Sequence, residues 1–301
     1  MKKILILFVV SFGILYSINA QQTIIYYLSG TDKDNTVEWD FFCTKGHNSG
    51  RWTKIAVPSN WELQGFGNYT YGNGYSNDKG ARSDEQGLYK YSFPASSHWK
   101  GQKIFIVFEG VMTDAEVKIN GQLAGPVHQG GFYQFRYDIT DLVQNNDSNH
   151  LEITVSKQSA NTSVNRTERE GDFWALGGIF RPVYLQIFPQ TFIEKIAIDA
   201  KADGTFKLNA TVINSCMGDK LEAQVQEIHG GNVGKSFTSD ILSSSVNLHK
   251  KFQQIKTWNP EQPYLYELIL SLKRNGKIIH TIGQRFGFRT AELRPSDGFY
   301  V

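Results

Sequence analysis

Apolar and polar residues alternate along much of this chain, and that alternation predicts β-strands with one buried face. In the stretch AEVKINGQL, Val117 and Ile119 fall on one face of the predicted strand. Glu116 and Lys118 fall on the opposite face. Asn120-Gly121 follows at once, and this dipeptide favours the tight turn of a β-hairpin. The stretch is therefore predicted to contain a strand, a two-residue turn and the start of a second strand.

Other stretches show the same period of two, and one shows a continuous apolar run. Leu151, Ile153 and Val155 alternate with polar residues in the stretch LEITVS. In contrast, every residue from Ile104 to Phe108 is apolar, which is the pattern of a strand buried on both faces. No segment after residue 20 has a long helical period. The chain is therefore predicted to be all-β.

A domain boundary is predicted near Phe188-Pro189-Gln190, because a new series of alternating strands begins beyond it. The apolar positions of this series are Ile193, Ile196, Ile198, Phe206, Leu208, Ala210, Val212, Leu221, Ala223 and Val225. Near the end, YELILSLKRNGKIIHTIG is predicted to be two strands joined by Asn275-Gly276. We expect a jelly-roll sandwich over residues 21–188. An immunoglobulin-like sandwich is expected over residues 189–292, since strands recur there over about 100 residues.

The first 20 residues have the pattern of a secretory signal peptide. Lys2 and Lys3 form a positive start, and an apolar run from Ile4 to Tyr16 follows. This run is too short for a typical membrane span. Ala20 supplies the small residue at the predicted cleavage site. We therefore expect a protein that is secreted, either periplasmic or extracellular, with no membrane span after cleavage.

Charge and cysteine content exclude several classes of protein. The chain has 31 basic and 29 acidic residues, so its net charge is only +2. Neither nucleic acid nor an anionic membrane is expected as a partner at this charge. The two cysteines, Cys43 and Cys216, fall in different predicted domains, so both are expected to be free and buried. A disulfide between them is the alternative.

No catalytic motif stands out in the sequence. There is no G-x-S-x-G stretch and no phosphate-binding loop, and the seven histidines lack zinc-ligand spacing. Asp32 and Asp34 lie in an acidic turn without the features of an EF-hand, so a solvated turn is expected. Hydrolysis of a glycosidic bond needs two carboxylates about 5–10 Å apart. Asp84 and Glu85 are adjacent and are expected to be solvated, so they supply no acid and nucleophile pair.

One long segment, Gly65–Gly87, interrupts the strand pattern with six glycines and three tyrosines. Long loops inside compact domains are usually functional or disordered. Disordered segments favour charged residues over tyrosine, so a functional loop is expected here.

Several stretches resemble the N-terminal part of family-two glycoside hydrolases of the β-galactosidase type common in Bacteroidetes. The stretches are VPSNWELQGFGNYTY, DEQGLYKYSF, FEGVMTDAEVKINGQLAG, GDFWALGGIFRPVYL, WNPEQPYLYELILSL and GQRFGFRTAEL. The first four resemble the sugar-binding domain of this family, and the last two resemble the close of its immunoglobulin-like domain. Together they cover nearly all of the chain after residue 20.

In this family a catalytic TIM barrel of about 250 residues follows the second domain. The resemblance implies that residues 293–301 begin the linker to a barrel that this sequence lacks. It also implies that the two catalytic glutamates lie on that barrel, so the chain alone is expected to be inactive. We expect a fragment of a longer enzyme, with a natural truncation as the alternative. The reading frame after codon 301 would decide between them.

The stretch GDFWALGGIF supplies the candidate sugar contacts. A pyranose has C–H faces that pack on aromatic rings, and a carboxylate binds its hydroxyl groups strongly. The resemblance implies that Asp172 binds the non-reducing sugar, in some members beside a monovalent cation, and that Asn68 of NYTY is a second contact. Trp174 and Phe173 would form a wall against the sugar; core packing is the alternative for both rings and the preferred expectation for Phe173. Gly177-Gly178 would let the backbone pass close by.

Other interpretations stay open on the sequence alone. Asp172 could instead cap a turn, and Asn68 could hold an Asx-turn. The chain could be a free-standing carbohydrate-binding module, a structural or adhesive protein, or the corresponding part of a β-glucuronidase or β-mannosidase. The expected partners are a β-linked galactoside or related glycan and the missing barrel. The residues themselves imply no cofactor, whereas the resemblance implies a monovalent cation and Mg²⁺ in the full-length enzyme.

Overall fold

The fold is seen in a computed structural model that describes residues 21–71 and 84–300. The predicted signal peptide, residues 1–20, lies outside the described residues. The chain divides into two compact units between Thr191 and Phe192, and Gln21 is grouped with the second unit.

The part of the chain before Thr191 consists mainly of short antiparallel strands. In chain order these are β1 (Gln21–Gln22), β2 (Ile24–Tyr27), β3 (Val37–Cys43), β4 (Trp52–Val57), β5 (Thr70–Tyr71), β6 (Gln86–Pro94), β7 (Lys103–Phe108), β8 (Asp114–Ile119), β9 (Gln122–Leu123), β10 (Phe135–Asp138), β11 (Ser148–Ser156), β12 (Trp174–Ala175) and β13 (Val183–Phe188). Two 3₁₀ turns lie at Glu62–Gln64 and Ser97–Trp99. One α-helix, α1 (Thr162–Glu168), is capped by Asn161, whose side chain accepts from the Ser163 and Val164 amides.

Two sheets enclose the core of the first unit. One has six strands in the order β4, β3, β6, β11, β8, β9, and the other has four in the order β10, β7, β13, β2. Their inner faces share one hydrophobic cluster, to which the first sheet contributes Trp39, Tyr89 and Val117 and the second contributes Ile106 and Leu185. Two sheets packed face to face across one apolar layer form a β-sandwich.

The alternation seen in the sequence places the side chains of β8 as predicted. Val117 and Ile119 are buried, and Glu116 and Lys118 are half-buried on the other face. Asn120 and Gly121 both have positive φ angles, 51° and 79°, which is the geometry of a type I′ hairpin turn. The turn joins β8 to β9 with Ile119 opposite Gln122.

The second unit is also built from antiparallel strands. These are β14 (Phe192–Ala200), β15 (Thr205–Ile213), β16 (Lys220–Glu227), β17 (Phe237–Asp240), β18 (Ser245–Lys251), β19 (Tyr266–Arg274), β20 (Lys277–Phe286), β21 (Glu292–Arg294) and β22 (Gly298–Tyr300). One sheet has the order β1, β20, β19, β16, β17, and the other has the order β14, β15, β18. Leucines of β16 and β19 and Phe206 of β15 share one core. The predicted all-β architecture, a jelly-roll sandwich followed by an immunoglobulin-like sandwich, is confirmed.

Some details differ from the sequence-based expectations. Both cysteines are free, as expected, but only Cys43 is buried, and Cys216 is exposed in the turn before β16. In the apolar run of β7, Phe105 is half-buried rather than buried. The Arg136 guanidinium group lies over its ring at 4.5 Å, so a charged side chain covers the outer face of this strand.

Candidate functional site

Two very short strands bring the predicted site residues together. β5 pairs with β12 in antiparallel register, so Tyr71 lies opposite Trp174 and Thr70 opposite Ala175. Asn68 lies two residues before β5, and Asp172 lies two residues before β12. Segments about 100 residues apart in sequence therefore meet at one edge of the first unit.

Asp172 is exposed and has one hydrogen-bond partner among the described residues. The Tyr71 hydroxyl donates to its Oδ1 at 2.5 Å. The carboxylate accepts no backbone N–H from the part of the chain that the structure describes, so it does not cap a turn there. Its remaining oxygen lone pairs accept no hydrogen bond from any described residue, so they can accept from hydroxyl groups of a ligand.

Exposed aromatic rings surround this carboxylate. Trp174 packs edge-on against Tyr71 and Tyr69, with ring centroids 4.9 Å and 5.6 Å away. These three rings, here called the aromatic wall, are 54–55% exposed. Phe173 is 41% exposed, so the expectation that it belongs to the core is wrong. Its ring packs over Gly171, where a Cβ atom would lie 2.4 Å from the Phe173 ring. Because Gly171 has no side chain, the Phe173 ring can lie against the backbone there, at the protein surface.

Hydrogen bonds fix the backbone of Asn68, and the residue is exposed. Its N–H donates to Glu85 Oε1 at 2.9 Å, and its carbonyl accepts from Lys157 Nζ at 2.5 Å. The side-chain amide makes no hydrogen bond with any described residue, so no Asx-turn is formed among them. Asn68 is exposed, and its amide is available to a ligand.

A set of four charged side chains lies beneath these segments and is here called the buried charge cluster. Its members, 0–2% exposed, are Glu62, Glu85, Lys157 and Arg169. The Lys157 ammonium lies 2.7 Å from Glu62 Oε1 and 3.1 Å from Glu85 Oε1. Burial raises the pKa of Glu62 above its usual value, and the Lys157 charge opposes that change. Burial also lowers the pKa of Arg169.

The cluster contacts the backbone beside β12 as well as the backbone beside β5. Both carboxylate oxygens of Glu62 accept from the Gly177 N–H, at 3.1 and 3.0 Å. Arg169 donates to the carbonyl of Leu176. Each member of the cluster therefore holds a main-chain group within two residues of the short β5–β12 ladder.

Sequence reasoning missed this cluster and was wrong about Glu85, which was expected in solvent. Asp84 is exposed, as expected, and pairs with Lys45 at 2.7 Å. A usable signal was present, because Lys157 continues the inward phase of Leu151, Ile153 and Val155 in β11. Glu85 likewise continues the inward phase of β6, in which Gly87 and Tyr89 are buried. Glu62 lies in a 3₁₀ turn, where no such phase exists.

Gly177 and Gly178 are required by contacts within the fold. A Cβ atom on Gly177 would lie 2.2 Å from Cζ2 of Trp61, and one on Gly178 would lie 2.7 Å from the Ser59 carbonyl. Gly178 also has a φ of 123°, which L side chains rarely adopt. The two glycines let the backbone pass close to Trp61, so the segment after β12 is pressed onto the core.

The exposed part of the site consists of one carboxylate, one amide and several aromatic rings, which are groups that can bind a ligand. Glu62 and Glu85 are buried and held by Lys157, so they are not accessible to a substrate. Among residues 21–71 and 84–300, no group of three or more His, Cys, Asp or Glu side chains could hold a metal ion. Asp172 is therefore not part of such a group among the described residues. Within the predicted loop Gly65–Gly87, residues 72–83 lie outside the described part of the chain.

Comparison with known proteins gives the following similarities. Residues 39–189 match the family model described as glycosyl hydrolases family 2, sugar binding domain, and residues 191–289 match a second model, glycosyl hydrolases family 2. A β-galactosidase of Priestia megaterium is 30% identical over 81% of this chain and 25% of its own length. A β-glucuronidase of Bacteroides fragilis is 26% identical over 82% of this chain and 36% of its own length.

The solved structures agree on the fold. A β-glucuronidase of Bifidobacterium dentium, complexed with coumarin-3-O-glucuronide, superposes with a TM-score of 0.68 at 22% identity. The match covers 92% of this chain and 51% of that one. This chain thus spans about a quarter to a third of the curated relatives that it matches. In its described part, no helix has the length and apolar character needed to cross a membrane.

Proposed function

The chain belongs to glycosyl hydrolase family 2, and from that membership we propose that it is the N-terminal, non-catalytic part of a secreted β-galactosidase-type hydrolase. In this proposal its first sandwich contributes Asp172, Asn68 and Trp174 to the wall of a sugar pocket. A catalytic barrel, outside this sequence, supplies the acid and the nucleophile.

The observation that carries the proposal is the exposed Asp172 carboxylate beside the aromatic wall. A carboxylate accepts hydrogen bonds from sugar hydroxyls, and the charge strengthens each bond. The ring of Trp174 offers an apolar surface to the C–H face of a pyranose and removes water from the site. Tyr71 donates to one carboxylate oxygen and so fixes the direction in which the other points. The arrangement fits a polyhydroxylated ligand better than an apolar one.

The second candidate is the corresponding part of a β-glucuronidase, because relatives of both kinds match the chain at similar identity. A galactoside and a glucuronide differ at the substituent on C5, which is a hydroxymethyl group in one and a carboxylate in the other. A glucuronide bound with that carboxylate next to Asp172 would be repelled, whereas a galactoside would not.

Export and cofactors form part of the same proposal. Export is supported by the apolar run from Ile4 to Tyr16, which follows Lys2 and Lys3. Asp172 can serve as one ligand to a monovalent cation, whose other ligands, like those of any Mg²⁺, would come from residues outside the described part of the chain. The exposed aromatic wall would face the barrel in the complete enzyme.

The test replaces Asp172 in the full-length hydrolase. Hydrogen bonds to a charged group contribute about 1.5–3 kcal/mol each. Asp172→Ala should therefore lower kcat/KM roughly tenfold to a hundredfold for each hydroxyl that it binds. Asp172→Asn should have a smaller effect if hydrogen bonding alone matters, and an equal effect if the charge holds a cation.

Stability separates binding from folding in this test. Asp172 is exposed and pairs only with Tyr71 among the described residues, so the melting temperature should scarcely change. Asp40 is a matched control, since it is also an exposed carboxylate of the first sandwich and pairs with Lys54 at 2.8 Å. Asp40→Ala should leave kcat/KM unchanged. An unchanged kcat/KM in a folded Asp172→Ala enzyme would refute the sugar-site assignment.

A further inference from the structure

The buried charge cluster holds the two segments that carry the proposed sugar contacts. Glu85 and Lys157 bind the N–H and the carbonyl of Asn68. On the other side, Glu62 binds the N–H of Gly177 and Arg169 binds the carbonyl of Leu176. The contacts are all between a charged side chain and the main chain, so they fix backbone position without occupying the exposed side chains.

The β5–β12 ladder is too short to fix this geometry alone. It contains two residue pairs, Tyr71 opposite Trp174 and Thr70 opposite Ala175. Strands in stable sheets usually have about five or six residues. Hydrogen bonds to charged groups in a buried, low-dielectric setting are stronger than those of an ordinary ladder. The cluster therefore supplies the positional restraint that the ladder lacks.

Stability alone does not account for four buried charges. Apolar side chains of similar volume would avoid the desolvation that charges suffer in a core. The charges are balanced, two carboxylates against two cations, and the Lys157 ammonium is surrounded by oxygens of Glu62, Glu85 and Asn68. Such a group has a defined geometry, whereas an apolar replacement would leave the main-chain groups of Asn68 and Gly177 without partners.

We infer that Lys157 is a positioning residue, which joins Glu62 to Glu85 and so sets the spacing between the Asn68 segment and the Gly177 segment. Through that spacing it places Tyr71 against Asp172 and holds Trp174 in the aromatic wall. The inference rests on the proposed function, because this spacing matters to catalysis only if Asp172 and Asn68 meet the substrate.

The first arm of the test measures position directly in this chain. Glu85→Leu removes the acceptor of the Asn68 N–H and one partner of Lys157, whereas Glu85→Gln keeps an acceptor oxygen. Hydrogen exchange of the Asn68 and Gly177 amides is followed by NMR. Glu85→Leu should speed exchange at both amides by about tenfold or more, and Glu85→Gln should restore slow exchange. The Trp174 indole resonance, assigned through Trp174→Phe, should shift in Glu85→Leu and return in Glu85→Gln.

The response at Gly177 is the decisive one, because no hydrogen bond joins Glu85 to Gly177, whereas Lys157 and Glu62 link the two. Lys157→Met should speed exchange at both amides in the same way. Asp219 is a matched control, a carboxylate with 1% side-chain exposure that pairs with Arg274 in the second unit. Asp219→Asn should leave both amides and the Trp174 resonance unchanged. If Glu85→Leu and Lys157→Met leave Gly177 exchange unchanged, the inference is wrong.

The second arm measures kcat/KM in the full-length hydrolase. If Lys157 acts through the site, the losses caused by Glu85→Leu and Asp172→Ala should be far from additive, because the first already misplaces the second. Additive losses would overturn the inference. If Asp172→Ala has no effect while the amides still respond, the proposed function fails and the inference falls with it, for a reason that the exchange data identify.

Folding failure does not end the test. If Glu85→Leu or Lys157→Met does not fold, Lys157→Arg replaces it, since a guanidinium group keeps the charge but changes the geometry. Faster exchange at both amides in Lys157→Arg supports positioning. Unchanged exchange at both amides with normal kcat/KM refutes it.

Discussion

Acidification should destabilise the second sandwich through one buried histidine. His280 lies in β20 with 0% exposure, and its Nδ1 accepts the N–H of Ile193 at 3.1 Å. The ring must be neutral at Nδ1 to accept this hydrogen bond. Burial lowers the pKa of His280 from 6.5 to about 4, because the charged form is poorly solvated in the core.

The direction and size of the effect follow from proton linkage. Between pH 6.5 and about 4 the unfolded chain binds a proton on His280 and the folded chain does not. The free energy of unfolding should therefore decrease as the pH falls through this window. The contribution of His280 is complete above pH 6.5 and lost below about 4. A pKa difference of this size corresponds to about 3 kcal/mol.

Urea unfolding of the chain and of His280→Asn, measured from pH 7.5 to 4.5, tests this reasoning. Asparagine keeps an acceptor near the Ile193 N–H but does not titrate. The natural chain should lose about 2–3 kcal/mol more than the variant over this range. Trp258 is the sole tryptophan after residue 191, so its fluorescence identifies the relevant transition. Equal pH dependence in the two proteins would refute the assignment.

Three further outcomes are expected. Gly177→Ala should lower the free energy of unfolding, measured by denaturation, by about 1–3 kcal/mol, because its Cβ atom would overlap Trp61. Gly231→Ala is the control, since a Cβ atom there meets no atom within 4 Å, and equal losses in the two variants would contradict the prediction. A thiol reagent should label the exposed Cys216 quickly and Cys43 only on unfolding, since Cys43 is buried and burial raises its thiol pKa; equal rates would contradict this. The purified chain should not hydrolyse nitrophenyl β-galactoside, β-glucuronide or β-mannoside, and turnover that follows the protein through purification would overturn its assignment as non-catalytic.

The strands could be predicted from the sequence because their signal is local. The alternation that buries Val117 and Ile119 spans a few residues, and the Asn120-Gly121 turn is specified by two. Strand pairing depends on more distant information. The ladder between Tyr71 and Trp174 joins two segments that carry no alternating pattern, since each strand is only two residues long.

The site could be predicted only in part. Asp172 and Trp174 were proposed as sugar contacts from the family resemblance of the surrounding stretch, and the structure places both on the surface beside Tyr71. Phe173 was misplaced because its own size favours burial, whereas its position is decided by packing over Gly171. The partners of Lys157 could not be found from sequence, because charged residues far apart show no pattern that joins them.

The separation of those partners along the chain has a consequence for the order of assembly. Lys157 is 72 residues from Glu85 and 89 from Asn68, and Glu62 is 115 residues from Gly177. Contacts between distant residues form slowly, because closing long loops opposes them before they add stability. The region around Asn68 and Trp174 should therefore be among the last parts of the first sandwich to fold.

During synthesis on the ribosome, these partners emerge at different times. A nascent chain that ends before Lys157 carries Glu62 and Glu85 without their cation, and both carboxylates must stay hydrated. Domains generally fold as their chains emerge, N-terminal part first. Within the first sandwich, residues around position 62 should gain their native contacts only after those around position 177 have emerged. Until then its aromatic side chains stay accessible to chaperones.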